Sequence, residues 1–261
     1  MKIAREDGTS SLRKAIGVLK CFSEERRELS MTDVAHALAL PPATAARILG
    51  ALVEEGLLER DERSKRYQLG IQCLRMGKIA NLSGTLRVCA RPFMEKLRDR
   101  FDETVNLYVR EGRVRICYAQ CETTSTLRRS IPLGSRFPLA AGAAGRCLLA
   151  WMPPEFIREV MEDLSPFTEN TVTERARFLE LLEETKRNLF TISRAERERG
   201  VLAIASPVFD APGSVRASLS IAGPASRFTD AIIEEMIVML KQVAVEFSEL
   251  LSSGKKAEGE R

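Results

Sequence analysis

A single arginine among small residues carries the clearest chemistry in this chain. In Ala43-Thr44-Ala45-Ala46-Arg47-Ile48-Leu49-Gly50, helical spacing puts Ala43, Thr44, Ala46, Arg47 and Gly50 on one face. Ala45, Ile48, Leu49, Leu52 and Val53 form the opposite, apolar stripe. Small side chains let a helix approach the floor of a DNA major groove, where an arginine can clasp guanine O6 and N7. The helix start at Pro42 and Ala43 also favours a phosphate. Arg63, Lys65 and Arg66 follow in a polar stretch, placed to touch phosphates or the minor groove. Alone, each feature reads as solvated surface. Their succession points to nucleic acid.

The residues that are scarce narrow the chemistry further. The one histidine, His36, lies beside Val34, Ala35 and Leu38, far along the chain from any second-half site. Ser-His-Asp hydrolysis, Cys-His chemistry and multi-histidine metal sites are therefore disfavoured. Of six cysteines (Cys21, Cys73, Cys89, Cys117, Cys121, Cys147) only Cys117 and Cys121 are close, which suits buried reduced thiols better than a redox sensor. No catalytic residue, metal ligand or cofactor is assigned. A net charge of +4 permits nucleic-acid binding without arguing for it, and 44% hydrophobic with 29% charged residues describes an ordinary soluble protein. No run approaches the ~20 apolar residues that cross a bilayer, and the polar start lacks a secretory core, so the expected location is the cytoplasm.

The elements that must position these residues can be read in turn. At 261 residues the chain suggests two domains. A first helix after Ser10-Ser11 carries Leu12, Ala15, Ile16, Leu19 and Phe22 on one face. A second starts after Ser30, with Asp33 completing a capping-box pattern. Leu40-Pro41-Pro42 stops that helix and starts the third. Leu57–Arg60 and Tyr67–Gly70 flank the basic tip as a hairpin. Residues 11–70 thus form an all-α helix-turn-helix with a wing, after a disordered arm at 1–10 and before a linking helix at 71–84 with Ile71, Leu74 and Ile79 on one side.

From residue 85 to 253 the pattern changes. A helix from Thr85 to Phe101 (Leu86, Cys89, Phe93, Leu97, Phe101) contains Pro92, which should kink it or shift its start. Hairpins join Thr104–Val109 to Val114–Ala119, and Val201–Phe209 to Val215–Ile221. Helices intervene near 141–151, 155–163 and 173–187, and a last one spans 230–252 before a polar tail at 254–261. The reading is an α+β domain with an antiparallel sheet, large enough to enclose a ligand.

In order and spacing, Ser11–Leu19, Leu40–Leu49, Tyr67–Gly70, Leu133–Leu139, Ala143–Ala150, Gly200–Val208 and Ser220–Pro224 resemble the IclR family of bacterial transcription regulators over nearly the whole chain. The resemblance implies a sequence-specific regulator whose C-terminal half is a GAF-like effector domain. Thr44 and Arg47 fall on its recognition helix and Lys14 where a basic residue begins the first helix; Pro42 stands where a lysine or other polar residue is common. The effector pocket would be lined by Leu139, Ala143, Ala144, Ser193, Val201, Ala203, Ser220 and Ala222. Backbone amides at Ala143 and Ala144 with the Ser220 hydroxyl suit a small organic acid. Tight helix–sheet packing asks for the same small residues, and both readings stand for each position. The loop before Gly200, Ser193–Arg199, lacks the acidic residues common at its start but keeps Glu196; its Arg194 faces an anion or solvent.

The implied partners are operator duplex DNA, a small-molecule effector and further copies of the chain, as a dimer or dimer of dimers, because one recognition helix covers a half-site. No membrane partner is implied. The competing class is a metabolite-binding enzyme with an accessory helical domain, using Glu196, Glu198 and nearby arginines as an acid–base set.

Overall fold

The computed structural model describes residues 7–23, 25–83 and 85–259, with side chains at 10–23, 25–79 and 86–253. The chain divides into two compact units, one ending at Gly84 and the other beginning at Thr85.

The N-terminal unit contains α1 (Asp7–Lys20), α2 (Met31–Ala37), α3 (Pro42–Glu54), β1 (Leu58–Arg60), β2 (Tyr67–Leu69) and α4 (Ile71–Ser83). Its core joins Val18, Leu29, Val34, Ile48, Leu49, Leu52, Leu58 and Tyr67. Ser30 caps α2 in both directions. Its Oγ accepts from Asp33 N at 3.1 Å, and its own N–H donates to Asp33 Oδ2 at 2.8 Å. β1 and β2 pair antiparallel with Leu58 opposite Leu69, and Leu29 adds one bridge to Tyr67.

Three expectations need correction here. Helix α1 begins at Asp7, so residues 7–10 of the expected arm are helical; residues 1–6 lie outside the described residues. Leu12 and Ile16 are exposed, at 60% and 43%, while Val18 is fully buried. The packed face of α1 is Ala15, Val18 and Leu19, continued past its end by Phe22, a spacing of three and four residues as close to helical as the expected one. The last helix, α9 (Asp230–Gly259), extends into the expected tail, of which residues 260–261 are outside the described residues.

The C-terminal unit is a six-stranded antiparallel sheet in the order β5-β4-β3-β8-β7-β6. Its strands are β3 (Thr104–Glu111), β4 (Val114–Cys121), β5 (Arg136–Pro138), β6 (Thr191–Arg194), β7 (Val201–Ala211) and β8 (Ser214–Pro224). The helices are α5 (Thr85–Phe101, continuous through Pro92), α6 (Ala143–Leu149), α7 (Pro154–Val160), α8 (Arg175–Asn188) and α9. One sheet face packs Val105, Leu107, Leu202, Ile204, Leu219 and Ile221 against α5 and α9. The other packs Tyr108, Cys117 and Ala205 with α6, α7 and α8.

Strands β5 and β6 were not expected. Ser193 therefore lies on an edge strand, in register with Ala203, and not on a loop. A β-bulge also changes what β4 presents. Leu107 pairs with Ala119 and Tyr108 with Cys117, leaving Tyr118 as the extra residue. Ala119 and Cys121 consequently join the α5/α9 core, while Cys117 belongs to the α6 side.

Candidate DNA interface and candidate effector site

The helix-turn-helix presents the small face intact. The axes of α2 and α3 turn through 115° across the residues between them, the geometry of this motif. Ala39 in the turn has φ 49°, a left-handed conformation held by a residue with a Cβ. Ala45, Ile48, Leu49 and Leu52 are buried, which fixes the rotation of α3. Pro42, Ala43, Ala46 and Arg47 are consequently exposed and Thr44 half-buried. Arg47 makes no hydrogen bond or ion pair among the described residues. Pro42 has no N–H, so any phosphate there must be met by the N–H groups after it.

The basic residues around α3 differ in how free they are. Lys14, on α1, is exposed. Arg63, Lys65 and Arg66 are all exposed at the wing tip, where Asp61 Oδ1 accepts from Arg63 N (3.1 Å) and Ser64 N (2.6 Å) and shapes the turn. Lys65 pairs with Glu62 at 3.0 Å. Arg66 donates to the Glu28 carbonyl at 3.2 Å and lies 3.8 Å from Asp33 Oδ2. The Arg63 guanidinium has no partner among the described residues.

In the C-terminal unit the structure brings the expected effector residues together. Ser193, Ala203 and Ala222 stand opposite one another across β6, β7 and β8, and Ser220 is opposite Ala205. Leu139, Ala143, Ala144, Ser193, Ser220 and Ala222 are buried, and Val201 and Ala203 half-buried. Helix α6 packs above this row. Gly145 lets the segment before α6 fold back against that helix, since a Cβ there would sit 2.1 Å from the Leu139 carbonyl oxygen and 2.9 Å from Arg115 Nη1.

Two buried arginines were missed by the sequence reading. Arg146, fully buried, donates from Nη1 to Glu196 Oε2 at 2.7 Å and Oε1 at 2.9 Å, from Nε to Thr191 at 3.1 Å and from Nη2 to the Ile192 carbonyl at 2.6 Å. Glu196 Oε2 also accepts from Gly142 N at 3.2 Å. The start of α6 is therefore already supplied with a carboxylate, and Glu196 is committed to structure. Glu198 is likewise paired, with Arg129 at 2.9 Å. Arg194 is exposed.

Arg115 is the second. It is 5% exposed, and Nη1 donates to the Pro138 carbonyl at 2.6 Å and to that of Ala141. Burial lowers its pKa to about 10, so it remains a cation at neutral pH. The available signal was a charged residue inside an apolar element: Val114-Arg115-Ile116-Cys117 on a strand, and Gly145-Arg146-Cys147-Leu148 on a helix. Burial also raises the Cys117 and Cys147 thiols, to about 11 and about 12. All six cysteines are unbridged. Among the described residues no metal-ligating cluster is found, and no single helix is long and apolar enough to cross a membrane.

Comparison with known proteins places both units. Residues 82–249 match the model of the bacterial transcriptional regulator IclR C-terminal domain, and residues 11–62 that of the IclR helix-turn-helix domain. The HTH-type transcriptional regulator BhcR of Paracoccus denitrificans is 30% identical over 256 residues, covering 97% of this chain and 91% of that protein. An IclR transcriptional regulator from Alicyclobacillus acidocaldarius superposes with a TM-score of 0.82 at 26% identity, over 93% of this chain and 98% of the other. An IclR homologue from Microbacterium hydrocarbonoxydans, solved with 4-hydroxybenzoate, gives 0.77 at 26% identity, over 93% and 99%.

Proposed function

The chain belongs to the IclR family of transcription regulators, and from that premise we propose how it reads DNA and what governs the reading. Arg47 makes the base contact, with Thr44, Ala43 and Ala46 against the groove and Pro42, Lys14, Arg63, Lys65 and Arg66 along the backbone. The observation that carries this reading is the division of α3: its apolar side is buried while Pro42, Ala43, Ala46 and Arg47 stand in solvent. The direct test is titration of Arg47→Ala against an operator and against random duplex. Loss confined to the operator supports the assignment; parent-like binding to both sequences removes it.

A recognition helix spans one half-site, so the working species is a dimer or dimer of dimers on a pseudo-palindromic operator. The N-terminal unit exposes Leu12 on α1 and Leu74, Met76 and Ile79 on α4, the last three at 57–69%, apolar side chains of the kind that a second copy would cover. Sedimentation of Leu74→Glu checks this, with a shift toward monomer expected. The setting is the cytoplasm.

The effector is a small organic acid held by the α6–β6–β7–β8 residues Leu139, Ala143, Ala144, Ser193, Val201, Ala203, Ser220 and Ala222. The carboxylate in the Microbacterium homologue's ligand supports that class. To regulate, the acid must bind the DNA-competent and DNA-incompetent states with different affinity.

A further inference from the structure

The buried arginines of the C-terminal unit do not balance in charge. Arg146 is matched by Glu196 and Arg129 by Glu198. Arg115 and Arg197 have no carboxylate within ion-pair distance among the described residues. Arg197 is half-buried with its guanidinium 3.7 Å from the centre of the Phe137 ring. Arg115 lies 5.4 Å from that ring and 5.4 Å from Tyr108, so the Phe137 ring is shared by both cations. Burial lowers the basicity of both; Arg197 and Arg129 lower that of Arg115 further, and Arg129 lowers that of Arg197, which Glu198 partly offsets. A buried cation without a counter-charge is costly, and its retention calls for an anion that is sometimes present.

The hydrogen bonds are unbalanced at the same place. Arg115 Nε is buried without an acceptor among the described residues. Arg115 also reaches the expected effector row. A Cβ placed on Gly142 would lie 3.4 Å from Arg115 Nη2 and 3.8 Å from Ser193 Oγ. Phe137 and Arg197 are the parts of this cluster that meet solvent.

We propose that Arg115 and Arg197 form the anion-binding end of the effector site, and that the effector is a compact dianion whose first anionic group docks on Arg115 and second on Arg197. The proposal rests on the organic-acid reading above and narrows it to molecules with two negative charges. Arg115 offers Nε and Nη2 as a planar fork, which suits a carboxylate or phosphate oxygen pair.

The test is thermal melting and calorimetric titration of the full-length protein at pH 8. The probes are malonate and succinate as dicarboxylates, inorganic phosphate as the other dianion, and acetate and 4-hydroxybenzoate as monoanions. Dianions are expected to raise the melting temperature and to bind at least tenfold more tightly than the monoanions. Preference for malonate or succinate over phosphate, or the reverse, separates the two sources. Arg115→Gln should weaken dianion binding by about 10- to 100-fold, the strength of a charge-assisted hydrogen bond. Trp151 emission and the apo melting curve check its fold, and if it does not fold the half-buried Arg197→Gln decides. That variant should bring dianion and monoanion affinities together.

Equal affinity for mono- and dianions, unchanged dianion binding in Arg197→Gln or in folded Arg115→Gln, or no binding of any dianion overturns the proposal. If a monoanion still releases operator, with both variants responding like the parent, the organic-acid reading survives and this inference alone fails. If no anion alters operator affinity, both fail.

Discussion

The two units handle functional side chains in opposite ways. On α3 the residues assigned to DNA are exposed, apart from the half-buried Thr44, and the buried stripe behind them does the folding. In the C-terminal unit the residues assigned to ligand are themselves core. Ser193 and Ser220 are 5% and 2% exposed, and Arg146 and Glu196 stabilise the place where a ligand is expected. Binding and stability are separable in the first unit and entangled in the second. Substitutions should expose that contrast.

The largest effect is expected at Glu196. Replacing it with Ala strands the fully buried Arg146 guanidinium and removes the acceptor for Gly142 N. Breaking one side of a buried pair costs about 3–5 kcal/mol. Trp151, the chain's one tryptophan, packs edge-on against Phe209 at 5.1 Å, so its emission during urea unfolding reports this unit. Arg146→Met combined with Glu196→Leu should recover most of the loss. A midpoint unmoved by Glu196→Ala would falsify the structural role of the pair.

Arg47→Ala should behave in reverse. Operator affinity falls by about 1–3 kcal/mol if the guanidinium clasps a guanine, with unfolding changed by no more than about 0.5 kcal/mol. Anisotropy titration and urea melts on the same preparation make the comparison. A large stability loss would show that α3 is less cleanly divided than its burial implies.

Ser30→Ala sharpens the contrast from within the N-terminal unit, because Ser30 touches no DNA in this reading yet holds α2 in place. Loss of the cap should cost about 1 kcal/mol. Far-UV circular dichroism should show it as an earlier helical transition with the Trp151 transition unmoved. Coincident shifts in both signals would mean that the units do not unfold separately.

How much could be read from the sequence follows the same division. The helix-turn-helix was legible because its determinants are local: Ser30 with Asp33, the Pro41-Pro42 stop, and an apolar stripe of helical period. The rotation of α1 was not, since Leu12 and Ile16 satisfy the same period as the residues that are buried. β5 and β6 were missed because three or four residues, one a proline, show no alternation until a neighbouring strand supplies the pairing. Arg115 and Arg146 were passed over because their meaning lies in partners far along the chain: Pro138 and Ala141 carbonyls for one, Glu196 for the other. The bulge at Tyr118, which separates the β4 residues on the two faces, leaves no mark in composition.

The smallest effect is expected on the wing, where the three cations are not equivalent. Each phosphate contact contributes about 0.9 to the slope of log affinity against log salt. Arg63 has a guanidinium without a partner among the described residues and should give nearly the full decrement when changed to Ala. Lys65 must first leave Glu62, an exposed pair worth little, so its decrement should be similar or slightly smaller. Arg66 is held by the Glu28 carbonyl and lies near Asp33, so it ties the wing to the segment before α2. Its removal should loosen the wing and lower affinity without a matching change in slope. Titrations between about 50 and 200 mM salt distinguish these patterns. Three unchanged slopes would take the wing off the DNA and leave α3 as the reader, making the exposed basic tip a feature of solubility alone.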